Sequence, residues 1–256
     1  MTYDGIGRHS RQISDESDLV LTCLQSSAKF YAEQGANSHW MMFGFEPSIL
    51  ERLPIVTESV ELSFVGGLEL RIGHQERAKT LAKLAAELPI ATWISGIPGD
   101  RTMMRQWASF LRHGEWRGFS EFPTAALAAR RLRLQNRGEL FGIKMFSQLA
   151  ASRMTLNIHI AAAGEQAANI RLFESTGVGT CLVTDWKPNL PQLFEVDREI
   201  VTFRNVEEAR EKITFLLTHE AERRAIAERG HKRCLASHNY GDRLRELAAR
   251  WLNSLA

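Results

Sequence analysis

The chain has 256 residues, of which 44% are hydrophobic and 24% are charged, so it can bury a sizeable core as one large or two small domains. Its 32 basic and 30 acidic side chains leave a formal net charge of +2, which gives no argument for nucleic acid or a membrane surface as partner. The chain has no apolar run of the ~18 residues that a membrane span needs, and its widely spaced cysteines indicate neither a disulfide framework nor a zinc site. We therefore expect a cytoplasmic protein with no membrane span, no nucleic-acid partner, no cofactor and no metal.

Short apolar runs alternate along the chain with longer stretches in which apolar residues recur at three- and four-residue steps. The short runs predict strands at residues 18–23, 39–42, 62–65, 90–94, 154–160, 180–184 and 200–203. The longer stretches predict helices at residues 75–87, 144–152, 166–175, 206–218, 221–237 and 242–252. This alternation predicts an α/β fold with a Rossmann-like, doubly wound parallel sheet.

The segment from Asn157 to Asp185 predicts a strand, a loop, a polar-faced helix and a second strand. A strand end followed by a helix N-terminus is where α/β proteins hold phosphates and nucleotides. Arg171 and Glu174 lie three positions apart and share one helix face, a cation suited to a diphosphate beside a carboxylate suited to a ribose diol. Taken alone, the two residues are more typical of a surface ion pair.

The run from Asn169 to Glu174, the turn Gly177-Val178-Gly179 and the strand ending at Asp185 together resemble a known family. They resemble the donor-binding half of GT-B glycosyltransferases of the group 1 family, specifically the spore-maturation (CgeB-like) group. The resemblance extends over about residues 18 to 253. It implies that a nucleoside-diphosphate sugar binds here, with Glu174 on the ribose hydroxyls, Arg171 near the pyrophosphate and Asn169 in the same motif.

In the resembled family a complete N-terminal Rossmann domain precedes the donor domain. Here residues 1–54 have room only for a short remnant of that domain and a linker, and residues 55–256 correspond to the C-terminal nucleotide-sugar-binding domain. The resemblance implies a hexosyltransferase-like enzyme of cell-surface polysaccharide biosynthesis, truncated or split, whose N-terminal domain comes from a partner chain. Its acceptor is unknown: a glycan, a lipid or a protein.

The alternative function is a non-catalytic nucleotide-sugar-binding module that acts only with a partner chain. That function predicts an exposed apolar patch around Phe43, Phe45 and Trp251, which the partner would cover. No catalytic residue is identified in either case, since the resemblance implies that the general base for the acceptor comes from the other domain.

Four further residues are candidates for the donor site. Gly66 and Gly67 end a predicted strand, and are typical either of a tight turn or of a backbone that approaches a diphosphate. His159 ends another strand, as a ligand to phosphate or as a hydrogen-bonded structural group. Glu165 is placed to face the sugar, but it is one position too far from Glu174 for the glutamate pair of many retaining enzymes, so the stereochemical outcome stays open.

Three charged groups near these candidates have simpler interpretations. His74 and Arg77 are predicted to form the solvated first turn of a helix, although a helix start near Gln75 would also allow His74 to face the donor cleft. Asp185 ends a strand at the ligand-facing edge of the sheet, and it is predicted either to face the ligand or, slightly in preference, to cap a helix that begins near Pro188. A cluster of arginines that includes Arg130 and Arg131 is predicted to form the solvated face of a helix.

Overall fold

The computed structural model describes residues 16–70 and 73–254, and its centre is a five-stranded sheet in which every neighbouring pair is parallel. The strands are β3 (Val60–Gly67), β4 (Ile90–Ser95), β5 (Ser152–Asn157), β6 (Cys181–Asp185) and β7 (Val201–Phe203), in the spatial order β4-β3-β5-β6-β7. Strands β1 (Val20–Thr22) and β2 (Ser38–Trp40) form a separate parallel pair. The predicted α/β fold with a parallel sheet is confirmed.

Helices connect successive strands of this sheet, as parallel pairing requires. They are α1 (Gln25–Glu33), α2 (Ile49–Arg52), α3 (Gln75–Glu87), α4 (Asp100–Arg112), α5 (Trp116–Gln135), α6 (Gly142–Ala150), α7 (Arg171–Gly177), α8 (Leu190–Leu193), α9 (Val206–Thr218), α10 (Glu220–Ser237) and α11 (Tyr240–Ser254). None of these described helices is both long and apolar enough to cross a membrane. The sequence predicted neither α1 nor α4.

Helix α7 begins five residues later than predicted, at Arg171 rather than at position 166. The segment before it is held by side-chain hydrogen bonds instead of helical ones. The Asn189 amide accepts from Ala167 N at 2.7 Å and donates to Ala167 O at 3.3 Å. Asn169 donates to Asn157 at 2.7 Å, so side chains of neighbouring elements hold this segment in a non-helical conformation.

Apolar residues cover both faces of the sheet because successive strand residues point to opposite sides. On one face, strand residues such as Leu62 and Phe64 pack with α3, α5 and α9. On the other, Leu182 packs with α7, α10 and the segment around Phe45.

Phe45 is buried, so it does not belong to the exposed patch that the non-catalytic function predicted. Its ring lies where a side chain on Gly177 would project, and its backbone pairs with Asn239 in an isolated parallel bridge. Phe43 is half-buried and lines the cavity described below. The side chain of Trp251 lies outside the described part of the structure. The division at residue 54 stays a prediction.

Candidate donor-binding site

A cavity of about 370 Å³ opens at the carboxyl ends of β3 and β5. The chain leaves β3 toward β4 on one side and later returns to β5 on the other, so the cavity lies where the strand order reverses. Open α/β sheets bind ligands at this point. The lining residues are Cys23, Leu24, Phe43, Phe64, Val65, Gly66, Gly67, His74, Arg77, Asn157, His159, Ile160, Ala163, Ala168, Asn169, Ile170 and Arg171.

Gly66 and Gly67 lie inside β3, where both pair with β4, so the prediction of a tight turn is wrong. Neither has a positive φ. A β-carbon on Gly67 would lie 3.8 Å from His74 and from Ser95, an ordinary contact distance. Backbone conformation and packing therefore do not require a glycine at position 67, which lines the cavity.

Arg77 is only 7% exposed, and His74 is buried as well, so the predicted solvated first turn is wrong for both. Arg77 donates from Nε to Ile158 O at 2.8 Å and from a terminal nitrogen to Gly67 O at 3.0 Å. Burial lowers the pKa of Arg77 to about 10, against the attraction of Asp185, and Arg77 is still charged at neutral pH. Burial and the neighbouring Arg77 lower the pKa of His74 to about 4, so its imidazole is neutral.

Arg171 and Glu174 form an ion pair at 2.6 Å, and both side chains are almost nine-tenths buried. The surface-pair interpretation is therefore wrong. Burial raises the pKa of Glu174 despite the attraction of Arg171, and burial lowers the pKa of Arg171 despite Glu174. Arg171 lines the cavity, whereas Glu174 is not among its lining residues. The Nε atom of Arg171 is buried without a hydrogen-bond partner.

Asn169 links the start of α7 to the ends of two strands. Its Oδ1 accepts from Arg171 N at 3.0 Å, and its amide nitrogen donates to Asn157 Oδ1 at 2.7 Å. Asn157 donates in turn to Thr184 Oγ1 at 2.9 Å. This buried relay fixes Arg171 relative to the sheet, and it gives Asn169 a positioning role at the cavity wall.

His159 and Asp185 form a second buried pair. Asp185 Oδ1 lies 2.7 Å from His159 Nδ1 and accepts from His159 N at 2.8 Å. Burial opposes ionisation of Asp185, but the bonds from His159 outweigh it, and the pKa of the carboxyl falls below its ordinary value. Asp185 therefore orients an imidazole, and the prediction that it caps a helix is wrong. His159 lines the cavity, and its Nε2 atom has no hydrogen-bond partner.

The structure does not bring Glu165 into this site. It is exposed in the loop before α7 and is not among the residues that line the cavity. Conversely, the sequence analysis missed Arg77 as a site residue. A signal was present, since Arg77 lies four positions before the core residue Leu81 and so belongs to the buried face of α3.

Comparison with known proteins agrees with this architecture. The profile of the Glycosyl transferase-like family matches residues 77–249, more than half of the chain. No curated protein sequence matches significantly.

Three solved structures have the same fold at low sequence identity. HepE of Anabaena, in complex with UDP and glucose, has a TM-score of 0.61 at 12% identity over 96% of this chain and 66% of its own. Sucrose-phosphate synthase of Thermosynechococcus elongatus has a TM-score of 0.59 at 13% identity, over 96% of this chain and 61% of its own. A glycosyltransferase of Rickettsia africae has a TM-score of 0.57 at 13% identity, over 98% of this chain and 68% of its own.

The chain thus spans about two thirds or less of the length of HepE and of the synthase. The chain belongs to the glycosyl transferase-like family and has the fold of GT-B glycosyltransferases.

Proposed function

We propose that the cavity binds the nucleoside-diphosphate part of a sugar donor, and that the chain is the donor half of a glycosyltransferase of the CgeB-like group. The observation that carries this proposal is the pair of buried arginines, Arg77 and Arg171, on one cavity wall at the carboxyl ends of the strands. Guanidinium groups match phosphate oxygens in geometry and charge, and the cavity lies at the topological switch point of the sheet.

The electrostatics of the two arginines favour an anion between them. Burial lowers the pKa of Arg77, and repulsion from Arg171 lowers it further. A diphosphate would replace the lost hydration and turn this repulsion into a shared attraction. His159 Nε2 has no hydrogen-bond partner among the described residues; because Nδ1 donates to Asp185, Nε2 of the neutral imidazole would accept a hydrogen bond from a hydroxyl of the sugar donor.

Glu174 is proposed to bind the ribose hydroxyls once the ligand has entered. In the structure its carboxylate lies against Arg171 and does not line the cavity. A diphosphate would compete for Arg171 and so release Glu174 to accept hydrogen bonds from the diol. The raised pKa of Glu174 is consistent with a carboxylate whose single cationic partner does not offset its burial.

The proposed chemistry is transfer of a glycosyl group, with negative charge developing on the departing diphosphate. Arg77, Arg171 and the open backbone at Gly67 would stabilise that charge, and such electrostatic stabilisation is the largest contribution in many enzymes. Glu165 would reach the sugar only if its loop moved toward the cavity. The acceptor (glycan, lipid or protein), its general base and a partner chain carrying the N-terminal domain are parts of the proposal that rest on the family resemblance.

The setting proposed is cell-surface polysaccharide biosynthesis with a hexosyl donor, on the cytoplasmic side. The three free cysteines are consistent with a reducing compartment. HepE was solved with UDP and glucose, so UDP is the first nucleotide to test here.

Calorimetric titration with UDP, GDP, dTDP and CMP tests the proposal in the wild-type chain and in Arg171→Ala and Glu174→Ala. We expect saturable binding of one nucleotide that is strongly weakened in both variants. Arg198→Ala is the matched control, because Arg198 and Glu195 form an i,i+3 ion pair at 2.9 Å with both side chains exposed. Binding that is unchanged in the two site variants would refute the proposed site.

The non-catalytic alternative is tested separately by a transfer assay with the bound nucleotide's sugar and a supplied N-terminal domain. Sugar transfer under these conditions supports the enzyme. Binding without transfer supports the non-catalytic module.

A further inference from the structure

The helical hairpin between β4 and β5 carries an apolar surface that the donor site does not use. Met104, Trp107, Leu111 and Trp116 form what we call the hairpin patch. Met104, Leu111 and Trp116 are 69%, 50% and 68% exposed. Trp107 is partly covered, stacks on Phe119 with ring centroids 5.0 Å apart, and donates from Nε1 to Phe119 O at 3.0 Å. The patch therefore has a rigid aromatic base.

Helix α4 has more apolar side chains than its packing against the protein needs. Met103 and Phe110 are buried and face α5 and the first core. Met104 directly follows Met103, and Leu111 directly follows Phe110. Both therefore project from a different side of the helix, toward solvent. The solvent side of a surface helix is normally polar, and a contiguous exposed apolar area indicates an interaction site.

Exposed cations flank the hairpin patch on α4: Arg101, Arg105 and Arg112. At the angular spacing of an α-helix they lie on the solvent side next to Met104 and Leu111. Within residues 16–70 and 73–254, none of the three arginines forms an ion pair. The acidic side chains Asp100 and Glu121 are already engaged by arginines of α5, at 2.8 and 2.9 Å. Glu115, in the turn between Leu111 and Trp116, is a further exposed carboxylate, so the positive charge of the three arginines beside the patch is only partly compensated.

We propose that the hairpin patch docks on an anionic lipid bilayer, with α4 lying in the plane of the interface. A helix with exposed Trp, Leu and Met beside arginines buries its apolar side chains at the headgroup boundary, while the arginines contact anionic lipid. A second copy of the chain fits less well, because it would bring the same unpaired arginines to the contact. This inference does not depend on the proposed donor site.

Docking by the hairpin would fix the donor cavity relative to the bilayer. Helix α4 begins shortly after the carboxyl end of β4, on the sheet edge where the cavity opens. Asn136, directly after α5, donates to Ile94 O at 2.9 Å and accepts from Ile94 N at 2.8 Å. Both ends of the hairpin are therefore attached to the same strand end, and the bilayer would hold that edge close to its surface.

Vesicle flotation of the full chain tests the proposal, with vesicles of phosphatidylcholine alone and of an equimolar mixture with phosphatidylglycerol. We expect flotation with the anionic vesicles only. Leu111→Glu should weaken it by about tenfold or more, since it removes the burial of one leucine. Arg105→Gln with Arg112→Gln should weaken it by about thirtyfold, since each arginine near an anionic surface contributes about fivefold.

Leu244→Glu is the matched control, because Leu244 on α11 is 51% exposed, almost the same as Leu111. It should float like the wild type, and circular dichroism should show all variants folded. Equal flotation of Leu111→Glu and Leu244→Glu would overturn the proposal, as would equal binding to neutral vesicles. A concentration-dependent dimer in sedimentation that Leu111→Glu abolishes, without flotation of the wild type, would overturn it in favour of self-association.

Discussion

In the described part of the structure two largely buried arginines, Arg223 and Arg171, are each paired with a glutamate, and they differ in how completely their terminal nitrogens are satisfied. Arg223 on α10 is fully buried, and its terminal nitrogens bind both oxygens of Glu58 at 2.8 and 3.0 Å and Arg153 O at 2.9 Å. Arg171 meets Glu174 through a single contact and, among the described residues, otherwise donates only to the sulfur of Met145. In neither arginine does the Nε atom have a partner within that part of the chain, so the difference lies at the terminal nitrogens.

The glutamates of the two pairs differ as well, both in exposure, since the side chain of Glu58 is 36% exposed and that of Glu174 is 11% exposed, and in the direction in which their pKa is shifted. Burial opposes ionisation of Glu58, but the hydrogen bonds and charge of Arg223 hold the pKa of its carboxyl below the ordinary value. Burial raises the pKa of Glu174, and Arg171 does not reverse the shift. Arg223 and Glu58 thus form a structural connection that is complete in the protein. Arg171 and Glu174 need a further partner, which we propose is the donor.

The largest effect is expected at the structural pair. Glu58→Ala leaves the fully buried guanidinium of Arg223 without its carboxylate, and the cost in unfolding free energy should stay below the ~3–5 kcal/mol of a fully buried pair, because water reaches the 36% exposed side chain of Glu58. Urea denaturation measures this loss. Nucleotide affinity of the folded variant should be unchanged, and a loss of affinity as large as that in Glu174→Ala would erase the distinction between the pairs.

The converse effect is expected at the cavity. Glu174→Ala should weaken nucleotide binding by about 1–3 kcal/mol, the usual cost of stranding polar groups that a ligand would pair. Its unfolding free energy should fall less than that of Glu58→Ala, because the protein satisfies this carboxylate poorly. Calorimetry measures the affinity, and wild-type affinity in Glu174→Ala would remove Glu174 from the donor site.

The pH dependence of stability should have opposite signs at the two glutamates. Ionisation of Glu174 opposes folding, so its contribution to stability falls as pH rises from 4.5 through the raised folded pKa. Ionisation of Glu58 favours folding, so its contribution is present above pH 4.5 and is lost as pH falls through the lowered folded pKa. In urea unfolding, Glu174→Gln should remove the fall in unfolding free energy with rising pH above pH 4.5. Glu58→Gln should remove the fall in unfolding free energy with falling pH below pH 4.5. Slopes of equal sign would contradict the comparison.

The smallest effect is expected from Gly67→Ala. The new β-carbon would meet His74 and Ser95 at 3.8 Å, so stability should change by no more than about 0.5 kcal/mol. Nucleotide binding should weaken because the methyl group takes space at the cavity wall. Gly177→Ala is the contrasting control, since its β-carbon would overlap the ring of Phe45 and lower the melting temperature. Unaltered nucleotide affinity in Gly67→Ala would separate β3 from the ligand.

The sequence was sufficient to predict a parallel sheet, because short apolar runs alternate along the chain with longer helical stretches. This alternation indicates where each strand of the sheet lies in the sequence. It was insufficient for the wall of the cavity. Arg77 follows Gln75 and Glu76 in a polar first turn; its spacing from Leu81 places it on the apolar face of α3, but the depth of its burial follows from the packing of α3 on the sheet. A local pattern gives the spacing of a helix, but not what covers it.

The same limit explains the two charged pairs of the site. The spacing of Arg171 and Glu174 predicts a shared helix face correctly, yet burial of that face depends on α6 and the neighbouring segments. Asp185 and His159 are 26 positions apart and meet because adjacent parallel strands end side by side. Such contacts follow from the strand order, which a single sequence does not specify.

The most direct test of the donor site compares UDP with uridine as ligands, in the wild-type chain and in Arg77→Ala, with Arg77→Lys as the charge-retaining variant. We expect the wild type to bind UDP more tightly than uridine. The preference should fall by about tenfold or more in Arg77→Ala, since a hydrogen bond to a charged group contributes about 1.5–3 kcal/mol, and should be partly restored in Arg77→Lys. An unchanged ratio of the two affinities in Arg77→Ala would contradict the claim that this cavity holds the diphosphate of a sugar donor.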